Sequence, residues 1–206
     1  MDEKGLKIQP DFSLLAGIKY IEQKNGLKKA AISIDSSLSI IQYLNKLQCK
    51  IITSKVGEGN VVDKIISEKC DLGGEGSSGG FIYPEFNLCR DGILLALMVS
   101  RLVENYGNLD SIFSDIEKFK QKRIKIKTNP ENFDVIKEHF LKLDNVTFID
   151  GIKITPNDDK WVLIRPSNTE KCIRLSVEAN NEKDARDLID EYENQIKNLL
   201  SDSTSH

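Results

Sequence analysis

Two short segments of the chain combine side chains that could bind a ligand. The first runs from Gly73 to Gly80 and places Glu75, Ser77 and Ser78 among five glycines. Glycine allows a backbone to come close to a ligand, and carboxylate and hydroxyl oxygens suit the hydroxyl groups of a neutral sugar. The carboxylate disfavours a neighbouring phosphate, and the Lys-Ser/Thr ending of a P-loop is absent. The segment predicts an irregular hydroxyl-binding loop, with a flexible surface loop as the alternative.

The second segment offers donors for an anion. Arg165 and Arg174 carry forked, permanently charged guanidinium groups that match the oxygens of a phosphate. Ser167, Asn168 and Thr169 lie between them and add neutral donors, and a turn there could direct backbone N–H groups at the same anion. A phosphate site is therefore predicted. The alternative is a polar turn whose arginines pair with Glu170 or Glu178.

An α/β domain is predicted to hold the first segment, over residues 1–119, because helical and strand-like patterns alternate there. Asp35, Ser36 and Ser37 form a natural helix start between two strands that should pair in parallel, and Asp91 should cap a long helix. Five glycines in eight residues argue against any regular element at 73–80. The predicted helices lie at 13–23, 38–47, 61–69, 91–106 and 109–119, and the predicted strands at 30–34, 50–53 and 81–83.

A different pattern begins at Arg123. Consecutive strands with a helix at either side predict an α+β domain over 124–200, with helices on one face of a mainly antiparallel sheet. The basic run at 118–127 is interpreted as a linker that leads into an edge strand with its lysines in water. Strands are expected at 123–127, 145–149, 161–164 and 173–178, a hairpin at 151–156, and helices at 130–143 and 182–200.

Composition excludes several other classes of function. The net charge of −3 does not favour a nucleic-acid partner. The four cysteines include no CxxC pair, and the only histidines are His139 and His206, so a Cys/His zinc site is not expected. The charged amino terminus lacks a signal-peptide pattern, and the most apolar run, residues 93–99, is too short to cross a bilayer. We expect a cytoplasmic protein that binds neither membrane nor nucleic acid.

The two segments together resemble those of the α-D-phosphohexomutases, which include phosphoglucomutase, phosphomannomutase and phosphoglucosamine mutase. Gly-Gly-Glu near residue 75 is followed about ninety residues later by Arg-Pro-Ser-Asn-Thr-Glu at 165–170 and by Arg174. Residues 31–37 and 55–58 also resemble the third domain of that family. Family enzymes have four domains, and this chain is similar to the third and the fourth over nearly its whole length. The predicted domains 1–119 and 124–200 correspond to these two.

The resemblance implies a reversible shift of phosphate between O1 and O6 of a hexose. In the family, a phosphoserine in the first domain donates phosphate, Mg²⁺ bound in the second assists, and a sugar bisphosphate acts as intermediate and activator. The third-domain loop holds sugar hydroxyls, which assigns Glu75 and Ser77 or Ser78 to that role. The fourth-domain loop holds the phosphate that is not transferred, which assigns Arg165, Ser167, Asn168, Thr169 and Arg174. Lys55, Gly57 and Glu58 fall in a loop that faces the family's cleft.

Three departures from the family pattern limit what this chain could do. Neither a Thr-x-Ser-His-Asn-Pro-like serine loop nor an Asp-x-Asp-x-Asp-Arg metal loop occurs in the sequence. Ser77-Ser78 is one residue longer than the usual spacing, and Lys171 replaces a proline of the phosphate loop. No catalytic residue or metal ligand is therefore expected in this chain.

We expect the carboxyl-terminal half of a phosphohexomutase, inactive alone, whose partners are a hexose phosphate and an amino-terminal half in cis or in trans. The alternative is a non-catalytic module that binds phosphosugars or another protein.

Overall fold

The computed structural model describes residues 3–167 and 170–203. The chain divides into two compact units, Met1–Glu117 and Lys118–His206. The first unit is an α/β sandwich and the second an α+β domain, so the predicted fold class is confirmed.

A four-stranded sheet forms the centre of the first unit. Its strand order is β2-β1-β3-β4, in which the first three strands are parallel and β4 is antiparallel to β3. The strands are β1 (Lys29–Ser33), β2 (Lys50–Ser54), β3 (Leu72–Glu75) and β4 (Gly80–Ile82). The helices are α1 (Asp11–Asn25), α2 (Leu38–Lys46), α3 (Glu58–Glu68), α4 (Gly92–Tyr106) and α5 (Leu109–Ile112).

Both faces of this sheet carry a buried core, which explains why β1 has three consecutive buried apolar residues, Ala30 to Ile32. Ala30 and Ile32 point into a core that is shared with α1, α2 and α4. Ala31 points to the other face, where Val61 and Ile65 of α3 cover it. Alternate residues of a strand face opposite sides, so one strand, β1, joins both cores.

The predicted helix starts are confirmed. The Ser37 hydroxyl accepts a hydrogen bond from the Ser39 amide at 3.1 Å, and the Asp91 carboxylate accepts one from the Leu94 amide at 2.8 Å. Each bond satisfies one of the amides that the first turn of a helix leaves unpaired.

The helix predicted at 109–119 is wrong beyond its first turn, because α5 ends at Ile112. Lys19 is almost fully buried, and its ammonium donates to the Ile112 carbonyl at 2.6 Å and pairs with Asp115 at 2.5 Å. A buried ammonium needs such partners. The carbonyl that would extend the helix is therefore engaged elsewhere, and the chain turns.

The second unit is a five-stranded antiparallel sheet in the order β5-β9-β8-β7-β6. Two helices cover one face, where apolar side chains of α6, α7 and four of the strands form the core. The strands are β5 (Lys120–Lys127), β6 (Val146–Phe148), β7 (Ile152–Asn157), β8 (Lys160–Pro166) and β9 (Cys172–Ala179). The helices are α6 (Phe133–Phe140) and α7 (Glu182–Ser203).

Two expectations about this unit were wrong in extent. The interpretation of residues 118–122 as linker fails, since β5 starts at Lys120 and pairs with β9 as far as Ala179. The helix predicted over 130–143 consists of a single 3₁₀ turn, Pro130–Asn132, and α6. Leu141 and Leu143 are exposed, so extending α6 past Phe140 would bury no further apolar side chain there.

Among residues 3–167 and 170–203, no helix has both the length and the apolar character needed to span a bilayer.

The thiols of the first unit provide a simple test of its packing. Burial raises the pKa of both Cys49 and Cys70 to about 11, and only the thiolate reacts quickly. At pH 8, iodoacetamide should therefore modify the partly exposed Cys89 and leave these two unmodified. Mass spectrometry of the native protein measures this, with the urea-unfolded protein, in which all thiols should react, as the control. Rapid labelling of Cys49 or Cys70 would contradict the core described above.

Candidate functional site

The glycine-rich segment consists of two paired strands and not of an irregular loop. β3 ends at Glu75, one 3₁₀ turn spans Gly76–Ser78, and β4 begins at Gly80. Residues 72–76 are buried, so the alternative of a flexible surface loop is also wrong.

Steric crowding explains why glycine occupies these strands. A Cβ atom on Gly73 would lie 2.8 Å from the Ala31 carbonyl oxygen, and one on Gly74 would lie 2.3 Å from the carbonyl oxygen of Gly80. Real Cβ atoms do not approach backbone this closely, so close packing outweighs the entropic cost of glycine.

Glu75 lies at the carboxyl-terminal edge of this sheet with its side chain only 7% exposed. Its Oε1 accepts a hydrogen bond from the Gly57 amide at 2.7 Å. Its Oε2 lies 3.7 Å from Nη1 of Arg90, and no described residue donates a hydrogen bond to it. Burying a carboxylate costs free energy unless its oxygens accept hydrogen bonds. Oε2 of Glu75 is the oxygen that could still accept a hydrogen bond from a ligand.

The two serines beside Glu75 differ in exposure. Ser78 is exposed, and its hydroxyl donates to the Glu75 carbonyl at 3.3 Å. It also accepts a hydrogen bond from Nη1 of Arg90 at 3.2 Å. Ser77 is half-buried. Both therefore stay candidates for the sugar contact.

The loop predicted to face a cleft reaches the same edge, because β2 and β3 are parallel and their carboxyl ends lie on one side of the sheet. Gly57 has φ of 121°, which favours glycine, and its amide points at Glu75. Glu58 opens α3 and accepts hydrogen bonds from Arg90. Lys55 is exposed and has no described contact with Glu75.

Arg90 is the functional candidate that sequence reasoning missed. It contacts Glu58, Glu75 and Ser78 although it lies 12 residues beyond the nearest of them in the chain. The one sequence signal that could have indicated Arg90 is its position directly before the helix cap Asp91.

In the second unit, three cationic side chains form a row across three strands. Arg174 on β9 lies directly opposite Arg165 on β8 and opposite Lys125 on β5. Their strand neighbours Ile126, Ile164 and Leu175 all point into the core with α6 and α7. Because strand residues alternate, the cation row lies on the face away from those helices.

Acidic and hydroxyl groups contact this row. Arg165 is 17% exposed, with its Nη1 3.5 Å from the Asp150 carboxylate. Arg174 donates through Nε to the Ser167 hydroxyl at 3.3 Å. Lys125 pairs with Glu170 at 2.7 Å, and this hydrogen bond holds the pKa of that carboxyl below its usual range. The direct ion pair of Glu170 is therefore with a lysine that the sequence did not single out.

The turn between β8 and β9 brings Ser167 to the cation row. The Ser167 amide donates to the Cys172 carbonyl at 3.0 Å, and its side chain is buried. Asn168 and Thr169, the other two predicted phosphate ligands, lie outside the described residues. The sequence placed Lys125 only among the solvent-exposed lysines of an edge strand. The strand register, which pairs it with Arg174, adds it to the cation row.

No three His, Cys, Asp or Glu side chains of residues 3–167 and 170–203 form a group that could hold a metal ion.

Both units match known family models. The first unit is an α/β sandwich and the second an α+β domain, so this is a two-domain protein of the α/β plus α+β class. Residues 9–119 match the model of phosphoglucomutase/phosphomannomutase alpha/beta/alpha domain III, and residues 114–195 match that of the phosphoglucomutase/phosphomannomutase C-terminal domain. The chain belongs to this phosphohexomutase family and carries the last two of its domains.

Individual relatives agree with that assignment. The chain is 34% identical over 208 residues to the phosphoglucosamine mutase of Methanocaldococcus jannaschii, covering 98% of this chain and 46% of that protein. A crystal structure of a phosphomannomutase from Thermus thermophilus has the same fold, with a TM-score of 0.73, 24% identity, and coverage of 92% of this chain and 41% of that one. The chain thus spans about half the length of the relatives that it matches.

More distant structures carry ligands. Aspergillus fumigatus N-acetylphosphoglucosamine mutase has been solved in complex with GlcNAc-6P and magnesium, with a TM-score of 0.63, 13% identity, and coverage of 93% of this chain and 46% of that one. Another structure of that protein is a complex with glucose 1,6-bisphosphate.

Proposed function

We propose that this chain is the substrate-binding carboxyl-terminal half of a phosphohexomutase. The proposed reaction is a reversible transfer of phosphate between O1 and O6 of a hexose phosphate. The first unit would bind sugar hydroxyls and the second the phosphate that is not transferred. The observation that carries the proposal is the row of Lys125, Arg174 and Arg165 on one sheet face of a C-terminal domain of this family.

Electrostatics support an anion at this row. Like charges directly opposite each other in a sheet are destabilising, and here three cations lie side by side. The nearby acids Asp150 and Glu170 are fewer than the cations by one. A phosphate dianion would remove the excess and match the forked guanidinium groups. The proposed ligands are Arg165, Ser167, Asn168, Thr169 and Arg174.

The edge at Glu75 supports a different ligand group. Glu58 and Glu75 outnumber Arg90 by one charge, which disfavours phosphate there. An acceptor-rich, partly buried edge suits hydroxyl groups or an ammonium group. We therefore propose Glu75 with Ser77 or Ser78 as sugar ligands, with Lys55, Gly57 and Glu58 as the supporting loop. Because relatives are phosphoglucosamine mutases, glucosamine phosphate is the first substrate to test.

The phosphoryl donor and the metal would come from another part of the enzyme. We propose that an amino-terminal half, in cis or in trans, supplies the phosphoserine and binds Mg²⁺, which would neutralise charge on the transferring phosphoryl group. A sugar bisphosphate would act as activator. The half-length match to relatives supports such a partner, and the cytoplasmic location stays a prediction.

Exposed apolar side chains of the first unit also support this partner. Phe86, Leu88, Ile93 and Leu97 lie within twelve residues of chain and are between 44% and 80% exposed. Ile93 and Leu97 are one helical turn apart, so they share a face of α4. Apolar groups clustered at a surface mark interaction sites, and the domains that precede domain III in relatives are the proposed occupant.

We expect the purified chain to bind glucosamine 6-phosphate without converting it. Mixing it with the amino-terminal half of the M. jannaschii enzyme, sugar bisphosphate and Mg²⁺ should give measurable conversion to glucosamine 1-phosphate, because the missing donor and metal would then be present. A coupled assay or ³¹P NMR measures both reactions.

The matched variants test the proposed interface. Leu97→Glu should abolish the restored activity, whereas Ser67→Glu, an exposed polar position of α3 on the opposite side of the sheet, should not. Turnover by the chain alone would contradict the proposal. A monomeric chain that binds the ligand but gains no activity would instead favour the second candidate, a non-catalytic phosphosugar-binding or interaction module, which the half-length match also permits.

A further inference from the structure

Arg90 connects three separate chain segments at the hydroxyl-binding edge. Its backbone amide and its Nε donate to the two oxygens of Glu58 at 3.0 and 2.8 Å. Its Nη1 donates to the Ser78 hydroxyl at 3.2 Å and lies 3.7 Å from Oε2 of Glu75. One guanidinium group thus holds the loop after β2 and the turn after β3 in a common geometry.

The neighbouring backbone fixes Arg90 in place. The amide of the next residue, Asp91, donates to the Phe81 carbonyl at 3.2 Å, and the Asp91 side chain caps α4. The Arg90 stem also lies against Gly80, where a Cβ atom would come within 2.3 Å of Cδ. A side chain that is held at both its backbone and its stem has few conformations left to lose. It can therefore hold its hydrogen-bond partners in a fixed geometry.

We propose that Arg90 is a positioning residue that directs the acceptor atoms of Glu75 and Ser78 toward a ligand group that donates hydrogen bonds. The inference rests on the proposed hydroxyl-binding role of Glu75 and Ser78. No substrate contact is assigned to Arg90 itself.

The hydrogen-bond inventory of Ser78 shows how this works. A hydroxyl has one proton to donate and two lone pairs. The proton of Ser78 goes to the Glu75 carbonyl, and Arg90 occupies one lone pair. The other lone pair remains as an acceptor. In this arrangement, Ser78 offers an acceptor to a ligand group that donates.

Glu75 has the same character. The Gly57 amide occupies Oε1, while Arg90 attracts Oε2 without a hydrogen bond. Oε2 therefore stays open to a donor. Sugar hydroxyls and an ammonium group are donors, whereas the oxygens of a phosphate dianion are not. Arg90 in this way selects the sugar end of a hexose phosphate for this edge.

Arginine is needed because the geometry is that of a fork. Nε and Nη1 of one planar group reach Glu58 and Ser78 at fixed angles, which a lysine ammonium on a flexible stem does not reproduce. The bonds to Arg90, the backbone one first, hold the pKa of Glu58 below its usual range. Loss of the side-chain bond should raise that pKa.

Residue-resolved NMR titration tests the inference on the full chain. Glucosamine 6-phosphate should shift the amide signals of residues 73–80, and inorganic phosphate should not. In Arg90→Gln the apparent affinity reported by residues 73–80 should fall about tenfold, because the charged hydrogen bond that holds the Ser78 hydroxyl in place would be lost. Arg90→Lys, which keeps the charge but loses the fork, should give a smaller loss. Signals near Ser167 should respond to inorganic phosphate equally in all variants.

Two further measurements separate a positioning role from a loss of folding. The pKa of the Glu58 carboxyl, followed by ¹³C NMR, should rise in Arg90→Gln, so the stability that its ionised form contributes should be lost at a higher pH on acidification. Arg101→Gln removes an exposed arginine of α4 that pairs with Glu104, and should change neither reading.

The outcomes are distinguishable. An unchanged response of residues 73–80 in Arg90→Gln would overturn the inference alone. No response of these residues in the unmodified chain would overturn the hydroxyl-binding role of the edge, and the inference with it. A response of residues 73–80 to inorganic phosphate would show that the edge binds anions and would also overturn the inference.

Discussion

Replacing Arg165 with alanine should weaken the binding of inorganic phosphate and of hexose phosphates by roughly ten- to a hundredfold. A hydrogen bond to a charged group contributes about 1.5–3 kcal/mol, and about 1.4 kcal/mol corresponds to a factor of ten. Arg165 lies at one end of the cation row, on the same face as Arg174 and Lys125. Its removal also takes a cation away from the Asp150 carboxylate, whose negative charge would then repel the ligand more strongly. Isothermal titration calorimetry measures the affinity.

Arg186→Ala provides the matched control for this prediction. Arg186 is an exposed arginine of α7, the helix that covers the opposite face of the same sheet. Its loss changes the net charge by the same amount but should leave the affinity nearly unchanged. Equal affinities of unmodified chain and Arg165→Ala would refute the phosphate role of the cation row. Equal losses in the two variants would show only long-range attraction.

Replacing Gly74 with alanine should destabilise the first unit by about 1–3 kcal/mol or more, the usual range for overpacking. The added Cβ would lie 2.3 Å from the Gly80 carbonyl oxygen and 2.6 Å from a methyl group of Leu14. Because the first of these is backbone of the paired strand, β3 and β4 must separate to make room. Glu75 follows directly in the chain, so the hydroxyl-binding edge should be lost as well. Urea unfolding measures the free energy.

Gly59→Ala is the control for the effect of removing a glycine. Gly59 lies in α3, and a Cβ atom added there would meet no atom within 4 Å. Alanine is preferred to glycine inside a helix by roughly 0.5–1 kcal/mol, so this variant should be slightly more stable. Undiminished stability of Gly74→Ala would mean that β3 and β4 are not packed as described.

Local signals were sufficient for much of the fold. The polar residues before α2 and α4 marked helix starts that the structure confirms at Ser37 and Asp91, because capping depends on a side chain and an amide only two or three residues away. The two motif segments were found from residue types and spacing. Their resemblance to the phosphohexomutases indicated the family, and the family models agree.

Other features depended on partners distant in the chain. The glycines at 73–80 predict an irregular loop by entropy, yet they form strands because the backbone of Gly80 and the carbonyl of Ala31 leave no room for a side chain. Lys19 ends α5 from 93 residues away. Helix and strand propensities do not contain such contacts, and the expectations for both segments were wrong for that reason.

The sequence alone determined which chemical groups this protein offers: a carboxylate with serines, and arginines with hydroxyl-bearing neighbours. Only the tertiary structure decided how those groups combine. Strand register placed Lys125 beside Arg174, and a guanidinium group reached back from Arg90 to Glu75 and Ser78. Side-chain identity is a local property, whereas hydrogen-bond partners and charge balance depend on atoms that folding alone brings within a few ångströms.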